Sequence, residues 1–227
     1  MIRSVLRTVV PRGVRQSRAV AGFRSFLSRR GIAHDWFYSP EYFARTVEAP
    51  AAESAGTIAE SIVTDLAPRT VVDIGCGTGA LLEVLRERGC EVFGYEYSKA
   101  ALEYCRRRNL AVAKFDLEKD TLTDTRTFDV AVSIEVAEHL PASVADRYVD
   151  LLTRLGRAVV FTAAPPGQGG NDHVNEQPPA YWIAKFQARG FRLDEPLTAR
   201  WRERWAAHGR VRDWYHRNLM IFRAETR

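Results

Sequence analysis

The 227-residue chain predicts an α/β protein with a mostly parallel sheet flanked by helices. Short runs rich in Val, Ile and Phe alternate with amphipathic stretches, the pattern of repeated βαβ units. Glycines follow several of the helical stretches, at Gly89, Gly156 and Gly190, where a helix needs a residue that tolerates an unusual exit. One apolar run passes directly into a glycine-rich turn and then into a helix, at Val71-Val72-Asp73-Ile74-Gly75-Cys76-Gly77-Thr78-Gly79-Ala80-Leu81-Leu82.

In chain order, residues 53–67 carry Ile58, Ile62 and Leu66 on one helical face. A strand follows at 70–74, then a helix at 80–88, a strand at 91–97, a helix at 99–109 and a strand at 111–115. The second half reads as a strand at 128–134, a helix at 142–155, a strand at 157–163, a helix at 179–189 and a last strand at 218–224. Residues 35–50 are aromatic-rich (Trp36, Phe37, Tyr38, Tyr42, Phe43) and suit a cover over the mouth of the domain. The expected organisation is a basic arm over 1–34 followed by one α/β domain over 35–227.

Composition narrows the classes. With 46% hydrophobic and 27% charged residues the chain can bury a core, and no apolar run approaches the roughly 20 residues of a membrane span. Net charge is +5, but it is segregated. Residues 1–34 hold eight Arg and no acid; residues 199–227 hold eight Arg against three acids. The stretch between carries 17 basic and 25 acidic side chains, so the basic character belongs to the ends and gives the domain no bias toward polyanions. The acid-free, Arg- and Ser-bearing start fits a basic arm or an organelle transit peptide. Arg outnumbers Lys 29 to 4, a skew of GC-rich bacterial genomes, which favours the arm. Cys76, Cys90 and Cys105 are odd in number and lack metal-type spacing, as expected of reduced cytoplasmic thiols.

Ligands of parallel sheets bind beyond the carboxyl ends of the strands, so the chemistry should follow the strands. In the glycine turn, Gly75, Gly77 and Gly79 let the backbone approach a ligand closely, and the helix start adds unpaired N–H groups. Asp73 inside the strand end suits a ligand carrying an ammonium group better than a pyrophosphate. The segment resembles motif I of the class I S-adenosylmethionine-dependent methyltransferases, and the resemblance extends over about residues 53–224. It implies a Rossmann-like sheet of seven strands, S-adenosyl-L-methionine as cofactor, and a cofactor set of Asp73, Gly75, Cys76, Gly77, Gly79, Glu96, Tyr97, Asp116, Leu117 and Ser133. Glu96, 21 residues after Gly75, stands where a ribose-binding acid belongs. By the same similarity, Asp116 meets the adenine amino group and the Leu117 N–H meets the ring.

The fourth strand ends in Ser133-Ile134-Glu135-Val136-Ala137-Glu138-His139-Leu140-Pro141. Methylating a hydroxyl requires that its proton be lost, which calls for a general base, a metal, or both. Glu138, His139 and His173 are the candidate catalytic residues. The Glu-x-x-Glu-His spacing is similar to that of small-RNA 3′-terminal 2′-O-methyltransferases and of the O-methyltransferases of ubiquinone biosynthesis. Resemblance to the RNA group implies a divalent metal on Glu135, Glu138, His139 and a later histidine, here His173, of Mn, Fe, Co, Zn or Mg type. A metal-free role for His139 as general base, and a purely structural role, are the other readings. The loop through Pro165, Gly167, Gly169, Gly170, His173, Asn175, Glu176 and Pro178 is too polar for core and suits a lid over a polyhydroxylated acceptor. Tyr181 and Trp182 belong either to the core or to an acceptor-stacking surface.

Residues 200–217 interleave Trp201, Trp205, Trp214 and Tyr215 with six Arg. Aromatics docked on the domain with Arg left in water is the preferred reading; single-stranded nucleic acid or anionic lipid are the rivals. The expectation is an O-methyltransferase for a small polar acceptor, a sugar or glycosylated metabolite. An RNA 2′-O-methyltransferase is disfavoured by the acidic middle. A membrane-associated quinol O-methyltransferase and a non-catalytic cofactor-binding protein are the further alternatives. Oligomeric state is not legible.

Overall fold

A computed structural model describes residues 47–225 apart from 124 and 171. The basic arm and the aromatic stretch through Phe43 therefore lie outside the described residues. Helix α1 (Ala49–Leu66) starts with a proline in its first turn and stops at Ala67, which takes a left-handed conformation just before Pro68. Then follow β1 (Thr70–Ile74), α2 (Ala80–Glu87), β2 (Glu91–Glu96), α3 (Lys99–Arg107), β3 (Val112–Lys114) and β4 (Phe128–Ile134). Two 3₁₀ turns, Ala137–His139 and Ala142–Val144, lead into α4 (Ala145–Leu155). The chain continues with β5 (Gly156–Thr162), α5 (Pro179–Gln187), β6 (Phe191–Leu193), α6 (Glu195–His208), α7 (Asp213–Asn218) and β7 (Met220–Ala224).

The seven strands lie in the order β3-β2-β1-β4-β5-β7-β6. All neighbours are parallel except β7, which runs antiparallel to both β5 and β6. The chain winds outward from β1 to β3 and returns to place β4 on the other side of β1. That reversal leaves a crevice at the carboxyl ends of β1 and β4, where such sheets take their ligands.

Side chains alternate across each strand, so the sheet has two buried faces. Val72, Ile74, Val159, Phe161 and Phe222 pack with Tyr148, Leu152, Trp182 and Phe186 of α4 and α5. Val71, Val130, Val132, Val160 and Ile221 pack with Ile58 and Ile62 of α1, Leu81 and Leu85 of α2, and Trp201 and Trp205 of α6. Phe186 stacks on Phe222 at 3.9 Å, tying α5 to β7.

The elements differ from the sequence reading in several places. The seventh strand is β6, three residues long, too short for period-2 alternation to register. The last strand starts at Met220, because Asn218 closes helix α7. Residues 142–144 form a 3₁₀ turn before the α-helix proper. Trp201 and Trp205 are fully buried, and the Trp201 indole N–H donates to Asp65 at 2.7 Å while Arg200 and Arg204 pair with the same carboxylate. Burial opposes ionisation of Asp65, but the indole and the guanidiniums outweigh it and hold the carboxyl below its ordinary range. Among the described residues no helix is long and apolar enough to cross a membrane.

Candidate active site

Val71 to Ile74 form a buried strand, and at its end Gly75, Gly77 and Gly79 all take positive φ. Gly79 (φ +76°) could not be replaced without conflict: a Cβ there would lie 2.5 Å from Leu110 Cδ1 and 3.0 Å from Cys105 Sγ. The turn thereby seats the start of α2 close against α3. Across the crevice, Val136 packs on Gly75, joining the β1 and β4 ends.

Two acids face this turn. Asp73 is 6% exposed, and burial, reinforced by the charge of Glu96, pushes its carboxyl up to about 7. Glu96 accepts the Gly77 N–H at 2.9 Å and the Tyr97 and Ser98 N–H groups at 2.7 Å. Burial raises it as well, against the pull of those three donors. Two carboxylates at adjacent strand ends, the one buried and the other half-buried, are costly alone and suit a cationic ligand. The Thr78 hydroxyl is likewise buried without a partner.

The other expected cofactor residues divide. Cys76 is buried beneath the turn, its thiol pushed up by contact with Cys105 and by burial. Tyr97 lies under the Lys114 ammonium at 5.3 Å. Asp116 binds the Glu118 N–H at 3.0 Å and pairs with Lys119, organising the turn after β3. The Leu117 carbonyl accepts from Arg147. Ser133 is fully buried, its hydroxyl 2.6 Å from that of Tyr148, so its side chain is committed to packing beneath the crevice.

At the end of β4 the chain turns sharply. Glu135 is non-glycine at φ +53°, held by N–H bonds to the Thr162 hydroxyl and carbonyl, a strained conformation of the kind concentrated at functional sites. The following 3₁₀ turn aims Glu138 and His139 inward. One ligand atom each from Glu138, His139 and His173 lies within 4.8 Å of the others. The Glu138 side chain is completely buried, and neither carboxylate oxygen has a hydrogen-bond partner. Burial, and after it the charge of Glu135, drive its carboxyl well above the usual range. The His139 and His173 rings meet edge to face at 4.9 Å. Burial, then the His173 ring, depress His139 to about 4, so its imidazole is neutral near pH 7.

Glu135, expected as a fourth ligand, is outside this trio. Its two oxygens take Asn218 Nδ2 and Gln168 Nε2, each at 3.1 Å, and Asn218 also donates to Gln168 at 2.9 Å. This ring links β4, the 163–178 loop and α7. Tyr215 of α7 packs against the core face that holds Trp201 and Trp205, its hydroxyl pushed up by burial and then by the charge of Glu135. The sequence reading missed Gln168 and Asn218 as partners of Glu135. No local motif marks them, since Asn218 arrives from 83 positions away. Trp182 is 1% exposed against Phe161 and belongs to the core. The polar loop is pinned by Val174 and Asn175 N–H bonds to the Glu138 carbonyl.

The doubly wound sheet, the glycine turn with its two acids and the crevice beside it define a class I S-adenosylmethionine-dependent methyltransferase fold. The chain belongs to the methyltransferase-domain family, whose family model matches residues 32–160. It is similar to the ubiquinone biosynthesis O-methyltransferase of Methylococcus capsulatus, 38% identical over 84 residues, covering 34% of this chain and 35% of that one. Its likeness to the enzyme of the same name from Alkalilimnicola ehrlichii is 31% over 123 residues, 51% of this chain and 46% of that one. The chain spans about half, or less, of the length of these curated relatives. In fold it is similar to a TehB-like SAM-dependent methyltransferase from Corynebacterium glutamicum, with TM-score 0.58, 20% identity and coverage of 82% of this chain and 98% of that one.

Proposed function

We propose that this chain transfers the methyl group of S-adenosylmethionine to a hydroxyl of a small, polyoxygenated molecule, with a divalent metal held by Glu138, His139 and His173. The observation that carries the proposal is Glu138: a buried carboxylate with two unpartnered oxygens, set beside two imidazoles at the catalytic edge. A protein retains so costly a group where a cation completes it.

The donor set fits the metal. One carboxylate and two imidazoles suit Mn, Fe, Co or Zn. His139, depressed to about 4, is neutral and offers a lone pair, but is a poor proton acceptor for a hydroxyl. That favours the ligand role over the metal-free general base. When bound, a divalent ion there supplies Lewis acidity toward a neighbouring hydroxyl. Asp73 and Glu96 hold the cofactor's cationic and ribose ends, and the Gly75–Val136 contact sets the distance between donor and acceptor pockets. The acceptor hydroxyl gives up its proton to water, its oxygen bonds the methyl carbon in line as the carbon–sulfur bond breaks, and S-adenosylhomocysteine leaves.

The polar ring of Glu135, Gln168 and Asn218 supports a polyhydroxylated acceptor such as a sugar. The names of the curated relatives support a second reading, an oxygenated ring precursor of a quinone. RNA is disfavoured because Trp201 and Trp205 are buried and offer no face to bases. The test is methyl transfer from labelled cofactor to a panel of vicinal diols, sugars and catechols, with Mn²⁺ or with EDTA. Activity on a diol that EDTA removes and Mn²⁺ restores is expected. Turnover indifferent to both would sink the metal assignment. Absence of cofactor binding by calorimetry would sink the methyltransferase reading itself.

A further inference from the structure

The 163–178 loop is built around one carboxylate. Glu176 accepts the Gly167 N–H at 2.9 Å and the Gly169 N–H at 2.7 Å, and lies 2.9 Å from His173 Nδ1. The His173 ring is held on its other sides too. A Cβ on Gly170 would fall 2.2, 2.4 and 2.7 Å from Nε2, Cε1 and Cδ2 of that ring. These similar distances place Gly170 against the ring rather than in front of the nitrogen, and leave no room for any side chain at 170. The His139 ring closes the remaining side, edge to face.

We infer that Glu176 is a positioning residue that holds His173 in its Nδ1–H tautomer, leaving Nε2 as the lone-pair nitrogen. An ionised carboxylate only accepts hydrogen bonds, so the nitrogen facing it carries the proton. Histidines that bind metals donate their second N–H to a carboxylate or carbonyl in this way, and losing that partner typically lowers metal affinity or activity about 10–100-fold. The glycines at 167, 169 and 170 thus have a chemical purpose: two wrap the carboxylate and one makes space for the ring. This inference rests on the assignment of Glu138, His139 and His173 as the metal-binding trio.

The test uses the whole chain labelled with ¹⁵N-histidine, in which long-range proton–nitrogen spectra report the tautomer of each ring. Wild-type His173 is expected to show the Nδ1–H pattern, and Glu176→Gln to lose it. Mn²⁺ affinity, read by electron paramagnetic resonance, should fall about 10–100-fold in Glu176→Gln, with cofactor affinity and melting temperature close to wild type. On a His173→Gln background, Glu176→Gln should cost no further Mn²⁺ affinity. An unchanged His173 pattern in Glu176→Gln, or additive losses in the double variant, would overturn the inference and leave Glu176 a loop staple. A tautomer that depends on Glu176 in a protein that takes up no Mn²⁺ would support the positioning role while removing the metal reading.

Discussion

Asp73 and Glu138 are both buried acids, and each is costly for the same reason: desolvation disfavours the ionised form. For Asp73 the sign can be followed. Its carboxyl is raised to about 7 in the fold, against about 4 when unfolded. The ligand-free protein therefore loses stability as pH climbs through that window, because ionisation is easier in the unfolded chain. A cationic cofactor selects the ionised form, so its affinity should run the other way. Calorimetry from pH 8 down to pH 5.5 should show the dissociation constant of S-adenosylmethionine rising below about 7, by up to about tenfold per pH unit. Asp73→Asn should bind at least about tenfold more weakly and lose that slope; a flat profile in the wild type would remove Asp73 from the cofactor site. Glu138→Gln gives the complementary result. It keeps shape, removes a carboxyl whose ionisation burial opposes, and should lower Mn²⁺ affinity about 10–100-fold while leaving the melting temperature equal or higher. A large loss of stability instead would mark Glu138 as structural.

At the scale of elements, the β1–α2 junction was readable because its chemistry is local. Gly75, Gly77 and Gly79 all adopt the positive φ that their spacing announces. Gly79→Ala puts a methyl group 2.5 Å from Leu110 and should cost about 1–3 kcal/mol by overpacking and backbone strain. Urea denaturation would measure it, with weaker cofactor binding expected in parallel; an unchanged midpoint would show that α3 can yield. The β4 end was half readable. Glu138, His139 and His173 meet as their residue types suggested, but Glu135 turns toward Gln168 and Asn218. The spacing of charges along a strand end does not encode the left-handed turn at Glu135 that redirects its side chain. Nor does any pattern in residues 213–218 announce that this short helix supplies Asn218 to Glu135.

Over the whole molecule, the C-terminal quarter completes the sheet. Strand β7 lies between β5 and β6, and α6 covers one face with Trp201 and Trp205. Trp201→Ala should cost about 3–5 kcal/mol, through lost packing and an Asp65 carboxylate left without its indole donor. Thermal melting checks this, and a shift of less than a degree would mean that the site refills. The basic surplus that the composition assigned to this tail is partly spent in the structure on Asp65, Glu53, Asp194 and Asp213. These pairs draw Arg side chains onto the domain rather than toward a polyanion.

The sequence by itself determined the α/β class and the glycine turn, and it offered Glu138, His139 and His173 among the four candidate ligands. Each of these follows from short-range rules: hydrophobic period, backbone freedom at glycine, and residue types set at strand ends. Tertiary structure alone decided that β7 runs antiparallel between β5 and β6, that Ser133 and Trp182 face inward, and that Gln168 and Asn218 meet Glu135. Those outcomes depend on which surfaces lie against one another across dozens of residues. No local pattern carries that information, because burial and partner are properties of the packed chain.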